Sequence, residues 1–338
     1  MTPHRLLFAL ALFPPLLLPG ALPSSGHGLG IHALGQGGGE GQEEGRQELD
    51  PSRPDPASFM GRAFVYDVDL AFGRAAGWIG AGVGDEQALE EARAALEKRL
   101  RRSAYFTEAR VLAEEGNRLA AVFVGRQDPA MEKFLLGGLS LAGHLAIGCV
   151  AEEGDFEGTS LAAERQRFVA WCGAHPEASA VHFDRVPREE GGPPERIRWR
   201  FPRGERSPER AVPLLADRRL DLTVADLVDG LLVATPVEEP RGAFQLQCTL
   251  VEEAKGELAE LRASSRGHKL VICVDERVLG RLRRRSEDSH FDIVFPRPLP
   301  ADAARVLVFA IAGGALPAPL SFVEFSKRRL LDVVQEGE

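Results

Sequence analysis

From Arg62 onward the chain sorts its apolar residues into short periodic runs. RAFVYDVDL alternates and predicts a strand with Ala63, Val65 and Val68 turned inward. DEQALEEARAALEKRLRR changes the period. Leu89, Ala92, Leu96 and Leu100 fall on one helical face, with acidic residues leading and basic residues closing, as the helix dipole favours. Two strands follow, Phe106 to Ala113 and Arg118 to Val124, joined across the tight turn EEGN. Asp128-Pro129 opens a second helix that ends near Leu136, and HLAIGCVAEE supplies a last strand. The order β-α-β-β-α-β is the ferredoxin-like split pattern.

Residues 152–212 are less regular. They hold a predicted helix, LAAERQRFVAWCGA, and then an irregular excursion rich in Pro, Gly and Arg over 185–212. Regular patterning returns with the short strand LLVATP and with AFQLQCTL, in which Phe244, Leu246, Cys248 and Leu250 share a face. EEPRG between them reads as a hairpin turn. The helix VEEAKGELAELRASS places Ala254, Leu258 and Leu261 on one side, and KLVICV and FDIVF are further strands. LPADAARVLVFAIAGG is a helix with Pro300 near its start, where the missing N–H costs nothing. Gly313 and Gly314 are predicted to take the positive φ that ends it. Pro317 and Pro319 cannot continue a helix, so Leu320, Phe322 and Phe325 leave in an extended strand. The expected fold class is α+β, with two ferredoxin-like subdomains of the βαββαβ type.

The chain of 338 residues suits two domains, and 44% hydrophobic with 27% charged residues is a globular balance. A net charge of −9 makes nucleic acid an unexpected partner, because phosphate backbones need a positive field. Residues 1–26 read as a signal peptide: His4 and Arg5, then the apolar run Leu6 to Leu18, shorter than the roughly 20 residues a membrane span needs and broken by Pro14 and Pro15. An uncleaved N-terminal anchor is the alternative. Residues 27–58, as in GQGGGEGQEEG, have too few apolar groups to offset ordering and read as a flexible linker. The expected location is therefore the periplasm or cell envelope. Cys149, Cys172, Cys248 and Cys273 show no zinc spacing. Cys248 and Cys273 lie in two predicted strands; they read first as two small buried hydrophobes, with a disulfide, which export would permit, as the alternative.

The C-terminal segments also resemble a known family. GGALPAPL after an apolar helix resembles the end of the first periplasmic domain of SecD, a protein-export membrane subunit. LDLTVADLVDG is similar to its Leu-Thr-x-x-Asp-Leu-x-Asp-Ala segment. AFQLQCTLVEEAKGELAELRASSRGHKLVICVDERVL is similar in order to its strand, helix and Asp-Gly-Lys-Val turn, and LEKRLRRSAYFTEARVLAEEGNRLAAVFVGRQDPA resembles its base. The resemblance covers residues 62–150 and 217–325. It implies a base-like domain over 59–151, a head-like domain over 152–325 with the exit strand, and a polar tail over 326–338. Gly314, Ala315, Leu316, Pro317, Pro319 and Asp275 carry the family motifs, as structural residues. The turn departs from the pattern: Asp275-Glu276 has lost the glycine. In SecD the exit segment leads to membrane helices whose charged groups use the proton gradient. Here SKRRLLDVVQEGE follows, so the resemblance implies the domain without its motor.

By that resemblance the expected function is assistance in protein export, through binding of unfolded secretory polypeptide or of Sec translocon subunits, with apolar contacts and strand-edge pairing. A structural adaptor for one fixed envelope partner and an enzyme on a ferredoxin-like scaffold remain alternatives. GAGVGD, Gly80 to Asp85, has Asp85 where a dinucleotide loop needs glycine, and reads as a turn before a helix cap. ERIRWRFPRGERSPER interleaves Arg with Trp199 and Phe201 and reads as a solvated loop or partner surface. Arg281, Arg283, Arg284 and Arg285 form a second basic stretch, suited to a partner or peripheral contact with lipid headgroups. The histidines have no ligand spacing, and no Ser-His-Asp or Cys-His context is present, so no metal, cofactor or catalytic residue is expected.

Overall fold

The computed structural model of the chain describes residues 60–102, 109–123, 136–282 and 292–329. The expected signal, linker and most of the second helix lie outside the described residues, as do Arg283, Arg284 and Arg285. The fold is α+β, and the described strands form three antiparallel sheets.

The first sheet is built from β1 (Met60–Val68), β2 (Ala109–Glu114), β3 (Arg118–Phe123) and β13 (Leu320–Arg329), in the order β13-β1-β3-β2. This order sets the last strand beside the first, as the split pattern requires. The closing strand differs from expectation. HLAIGCVAEE forms β4 (Leu145–Val150), which joins the second sheet, and β13 takes its place. β13 runs to Arg329, four residues into the stretch read as tail, because it keeps pairing as far as Met60↔Arg329.

α1 (Leu70–Ala76) and α2 (Asp85–Arg102) follow β1. α2 covers one face of the first sheet with Ala88, Ala92, Leu96 and Leu100, all fully buried. The strand residues that meet it are Phe64, Tyr66 and Val68, not Ala63 and Val65. Both sets are buried, so alternation of hydrophobicity could not say which faced the helix. Phe64 sits edge-on to Phe123 at 5.4 Å, a favoured aromatic geometry that anchors this core.

The second sheet has the order β10-β9-β4-β6-β5, with β5 (Ile197–Arg200), β6 (Val212–Leu222), β9 (Leu270–Val274) and β10 (Arg277–Arg281). β5 corrects the reading of the Arg-rich excursion as a solvated loop. Trp199 is fully buried and stacks on Phe168 of α3 (Leu161–Ala174) at 5.1 Å and 8°. The short α4 (Ala180–Phe183) adds Phe183 to the same cluster. The aromatic residues of that stretch are core; only some of the arginines between them reach solvent.

The third sheet centres on β8 (Ala243–Cys248), paired with β7 (Val233–Pro236) on one side and with β11 (Ile293–Val294) and β12 (Leu299–Pro300) on the other. α5 (Glu252–Ser264) and α6 (Ala301–Ala312) pack into the core it shares with the second sheet. Leu246, Cys248 and Leu250 are buried there as expected. All four cysteines are free. Cys248 faces this core, whereas Cys273 joins the cluster on the opposite face of the second sheet, because successive strand residues point to opposite sides. Burial pushes both thiols up to about 12, so they behave as small hydrophobes.

Candidate functional site

The family-motif residues converge on one buried junction. α6 ends at Gly313, whose φ of −70° is helical, so only Gly314, at +96°, takes the expected left-handed turn. Gly313 is required for space instead. A Cβ there would overlap the Cγ of Arg99 and the carbonyl of Phe309. Beyond the turn, Leu316, Ala318 and Leu320 are buried, while Ala315 is exposed and Pro317 and Pro319 are half-buried. The prolines keep the backbone extended, so alternate residues enter the first core. Pro319 O accepts from Asp69 N at 3.0 Å, which ties the segment to the start of α1.

Arg99 organises this exit. It lies on the buried face of α2 and is fully inaccessible. Its Nη1 donates to Leu141 O at 2.6 Å, and its Nη2 donates to Ala142 O at 2.6 Å and to Gly314 O at 2.5 Å. Leu316 N donates to Ala142 O at 2.8 Å. A planar guanidinium, with five N–H donors in a fixed fork, serves three carbonyls from two segments in this way. Burial pulls Arg99 down to about 10, against the attraction of Asp275. The sequence reading missed Arg99. Its signal was a charge three residues after Leu96, on the apolar stripe.

Asp275 and Glu276 form the two-residue turn between β9 and β10, both left-handed, with φ of +50° and +61°. Such a turn favours Asn, Asp or Gly, so Glu276 stands where the backbone would accept glycine at less cost. Its carboxylate accounts for the departure. It is clamped by Arg200 Nε and by Arg219, whose Nη2 donates at 2.5 Å and Nη1 at 2.9 Å. Arg200 also donates to Asp184 at 2.5 Å. Burial alone would raise the Glu276 carboxyl, but the Arg200 and Arg219 guanidiniums overcome it and hold the group at about 2. Arg219 is correspondingly raised, its burial outweighed by Glu276 and Asp221.

Asp275 points the other way. Its Oδ1 accepts from Gly143 N at 2.7 Å and His144 N at 2.9 Å. Burial pushes its carboxyl up to about 6, opposed by the His144 N–H and by Arg99. His144 Nε2 donates to Leu316 O at 2.6 Å, and its ring stacks on Trp78 at 3.8 Å. Burial lowers the His144 pKa, with the Leu316 hydrogen bond opposing. So Asp275, Gly314, Leu316, Pro317 and Pro319 come together, with Arg99, His144 and Trp78 as unpredicted partners.

Above the junction lies a cleft of about 570 Å³, lined among others by Trp78, His144, Asp184, Arg198, Arg219 and Asp221. Arg200, Arg219, Asp184 and Asp221 are committed to one another or to Glu276. The arrangement locks backbone segments together; it presents no activated nucleophile. Among the described residues no group of His, Cys, Asp and Glu is placed to hold a metal. Arg281 lies apart, exposed at the end of β10.

Solved structures of SecDF are similar to this chain. A crystal structure of SecDF in a super-membrane-facing form matches 82% of the chain and 32% of its own, at 20% identity and a TM-score of 0.47. A structure of SecDF described as a membrane component that enhances protein export matches 78% of the chain and 98% of its own, at 21% identity and a TM-score of 0.44. A third, of the translocon-associated membrane protein SecDF from Thermus thermophilus, covers 80% of the chain and 31% of its own, at 19% identity and a TM-score of 0.25. The chain thus spans about a third of the length of the first of these. No protein-family model and no curated protein sequence matches it. Among the described residues no helix is long and apolar enough to cross a membrane.

Proposed function

We propose that this is a SecD-like export domain that binds extended, unfolded polypeptide by adding it as a strand to an open sheet edge, in the periplasm or cell envelope. The observation that carries the reading is β13. It pairs with β1 alone among the described strands, and it is ten residues long. Of the three large hydrophobic residues exposed among the described residues, two, Val323 and Phe325, lie on it. An open edge offers unpaired backbone groups to an extended chain, and exposed apolar side chains add affinity without strict sequence choice. The junction beneath the exit segment holds the near end of that strand in place through Leu316 and Pro319. The partner is then a non-native polypeptide, a Sec subunit being the other partner the motif resemblance implies.

The test is fluorescence anisotropy of the full chain with labelled, extended apolar peptides, beside a photo-crosslinker at position 323. Binding of several unrelated peptides, weakened about tenfold by Val323→Asp, is expected, since burying one valine is worth about 1.5 kcal/mol. Crosslinks to a single folded partner would instead establish the adaptor reading, and no peptide binding would remove the proposal.

A further inference from the structure

At the far end of α5 from its acidic first turn, Arg262, Arg266, Lys269 and Arg281 surround a recess of about 490 Å³ with Ser265 and His268 in its wall. The four cations come from three places: the last turn of α5, the loop before β9 and the end of β10. Leu282 N donates to Leu270 O at 2.8 Å and holds the β10 end against the β9 start, which fixes Arg281 beside the others. None of the four makes an ion pair with a described residue. Other arginines, such as Arg74, Arg118, Arg188 and Arg196, each hold a carboxylate, and acids outnumber bases 50 to 41 in the chain.

The carbonyl end of α5 attracts cations, which accounts for Arg262 and Arg266. It does not account for Arg281 on another element, nor for the polar atoms left in the wall. Ser265 is 3% exposed, and its hydroxyl has no hydrogen-bond partner. The Cys149 thiol, a weak sulfur partner, is the group that interacts with it. His268 Nε2 is held by Asp155 at 3.0 Å, which leaves Nδ1 buried and unpartnered. Asp155 is engaged by that ring and by Glu152 N at 2.7 Å. A buried hydroxyl without a partner costs stability unless something else fills the place.

We propose that this recess binds a phosphate group, as a free phosphate ester or a phospholipid headgroup. Arg262, Arg266, Lys269 and Arg281 supply the charge, and Ser265 Oγ and His268 Nδ1 supply oriented hydrogen bonds. A tetrahedral phosphate presents three or more acceptor oxygens, which suits donors converging from three elements; a carboxylate offers two in one plane. Arginine forks match this geometry, and the Ser265 hydroxyl turns to donate. The site is separate from the β13 edge and stands whether or not that edge binds polypeptide.

The experiment uses the full chain at constant ionic strength. Its probes are inorganic phosphate, glycerol 3-phosphate, and vesicles of phosphatidylglycerol or of phosphatidylcholine. Saturable binding is expected, weakened about tenfold or more in R266Q/K269Q and severalfold in Ser265→Ala, with Arg241→Gln unchanged as an exposed control elsewhere. The paired variant changes only exposed side chains, so its unfolding midpoint should stay at the wild-type value. Binding of the soluble phosphates assigns a free ester. Binding of phosphatidylglycerol vesicles alone, with the same sensitivity to R266Q/K269Q, assigns a headgroup. Absence of saturable binding by every probe, or binding indifferent to R266Q/K269Q, overturns the proposal.

Discussion

Arg99 shows how one side chain can hold distant segments of a fold. Its guanidinium is fully buried, and its acceptors are three backbone carbonyls, with no carboxylate bonded to it. Arg99→Met keeps much of the volume and takes this donor from Leu141 O and Gly314 O, each at about 1–3 kcal/mol, while Ala142 O keeps Leu316 N. A loss of about 3–5 kcal/mol is expected in urea unfolding, with Arg99→Lys recovering part of it because an ammonium still donates. A methionine variant as stable as the wild type would mean that water serves the carbonyls equally well. Nothing about these bonds was legible locally. The charge on the α2 stripe was visible in the sequence, but Gly314 lies 215 positions away.

Among the elements, β13 carries more of the first sheet than its place in the chain suggests. It pairs with β1 from Val68↔Leu320 to Met60↔Arg329, across a bulge at Val65/Tyr66. Phe322 packs on Tyr66 at 5.9 Å, and Phe325 on Phe64 at 4.9 Å. A chain shortened to end at Pro319 would lose those contacts and expose the edge of β1. The expected outcome is rapid proteolysis between β1 and β3 while the second and third sheets stay protected. Uniform protection of both halves would show that the first sheet stands without β13. Short-range patterning predicted most elements but not α1, α4, β5, β6, β10 or β12, and it assigned the closing position to β4. Both strands are apolar enough to close a sheet, and only the pairing partners distinguish them.

Across the whole molecule, the Asp275-Glu276 turn sets opposing pH dependences on stability. Asp275 titrates near 6 when folded, against about 3.9 in an unfolded chain, so the folded state holds its proton more tightly. Its contribution is complete below about pH 4 and is lost as pH rises through 6, a change of about 3 kcal/mol. Glu276 titrates near 2 against about 4.3 unfolded, so its contribution is present above that value and lost as pH falls toward 2. Arg99 and Arg203 face Asp275, and Arg200 and Arg219 face Glu276. Over pH 4.5 to 6.5 the urea midpoint should therefore lose more stability with rising pH in the wild type than in Asp275→Asn, because the lowered His144 and the raised Asp184 act in both chains. Glu276→Gln should lose the acid limb and be destabilised throughout, since it leaves Arg200 and Arg219 underpaired in the interior. The same pH slope in the wild type and in Asp275→Asn would contradict the buried state of Asp275.

The amino-acid sequence by itself determined the α+β class, most helices and strands, the helix stop at Gly314 and the order of motifs from Asp275 to Leu320. These depend on residues within a turn or two of one another, where periodicity, φ preference and proline act directly. Tertiary structure decided which strand closes the first sheet, that Trp199 is core, that Cys248 and Cys273 face apart, and that Glu276 could replace glycine. Each of those rests on a partner tens to hundreds of positions away: β1 for β13, Phe168 for Trp199, Arg200 and Arg219 for Glu276. Local chemistry sets what a segment can form, whereas burial and pairing select among equally apolar or equally charged candidates only once the chain has folded back on itself.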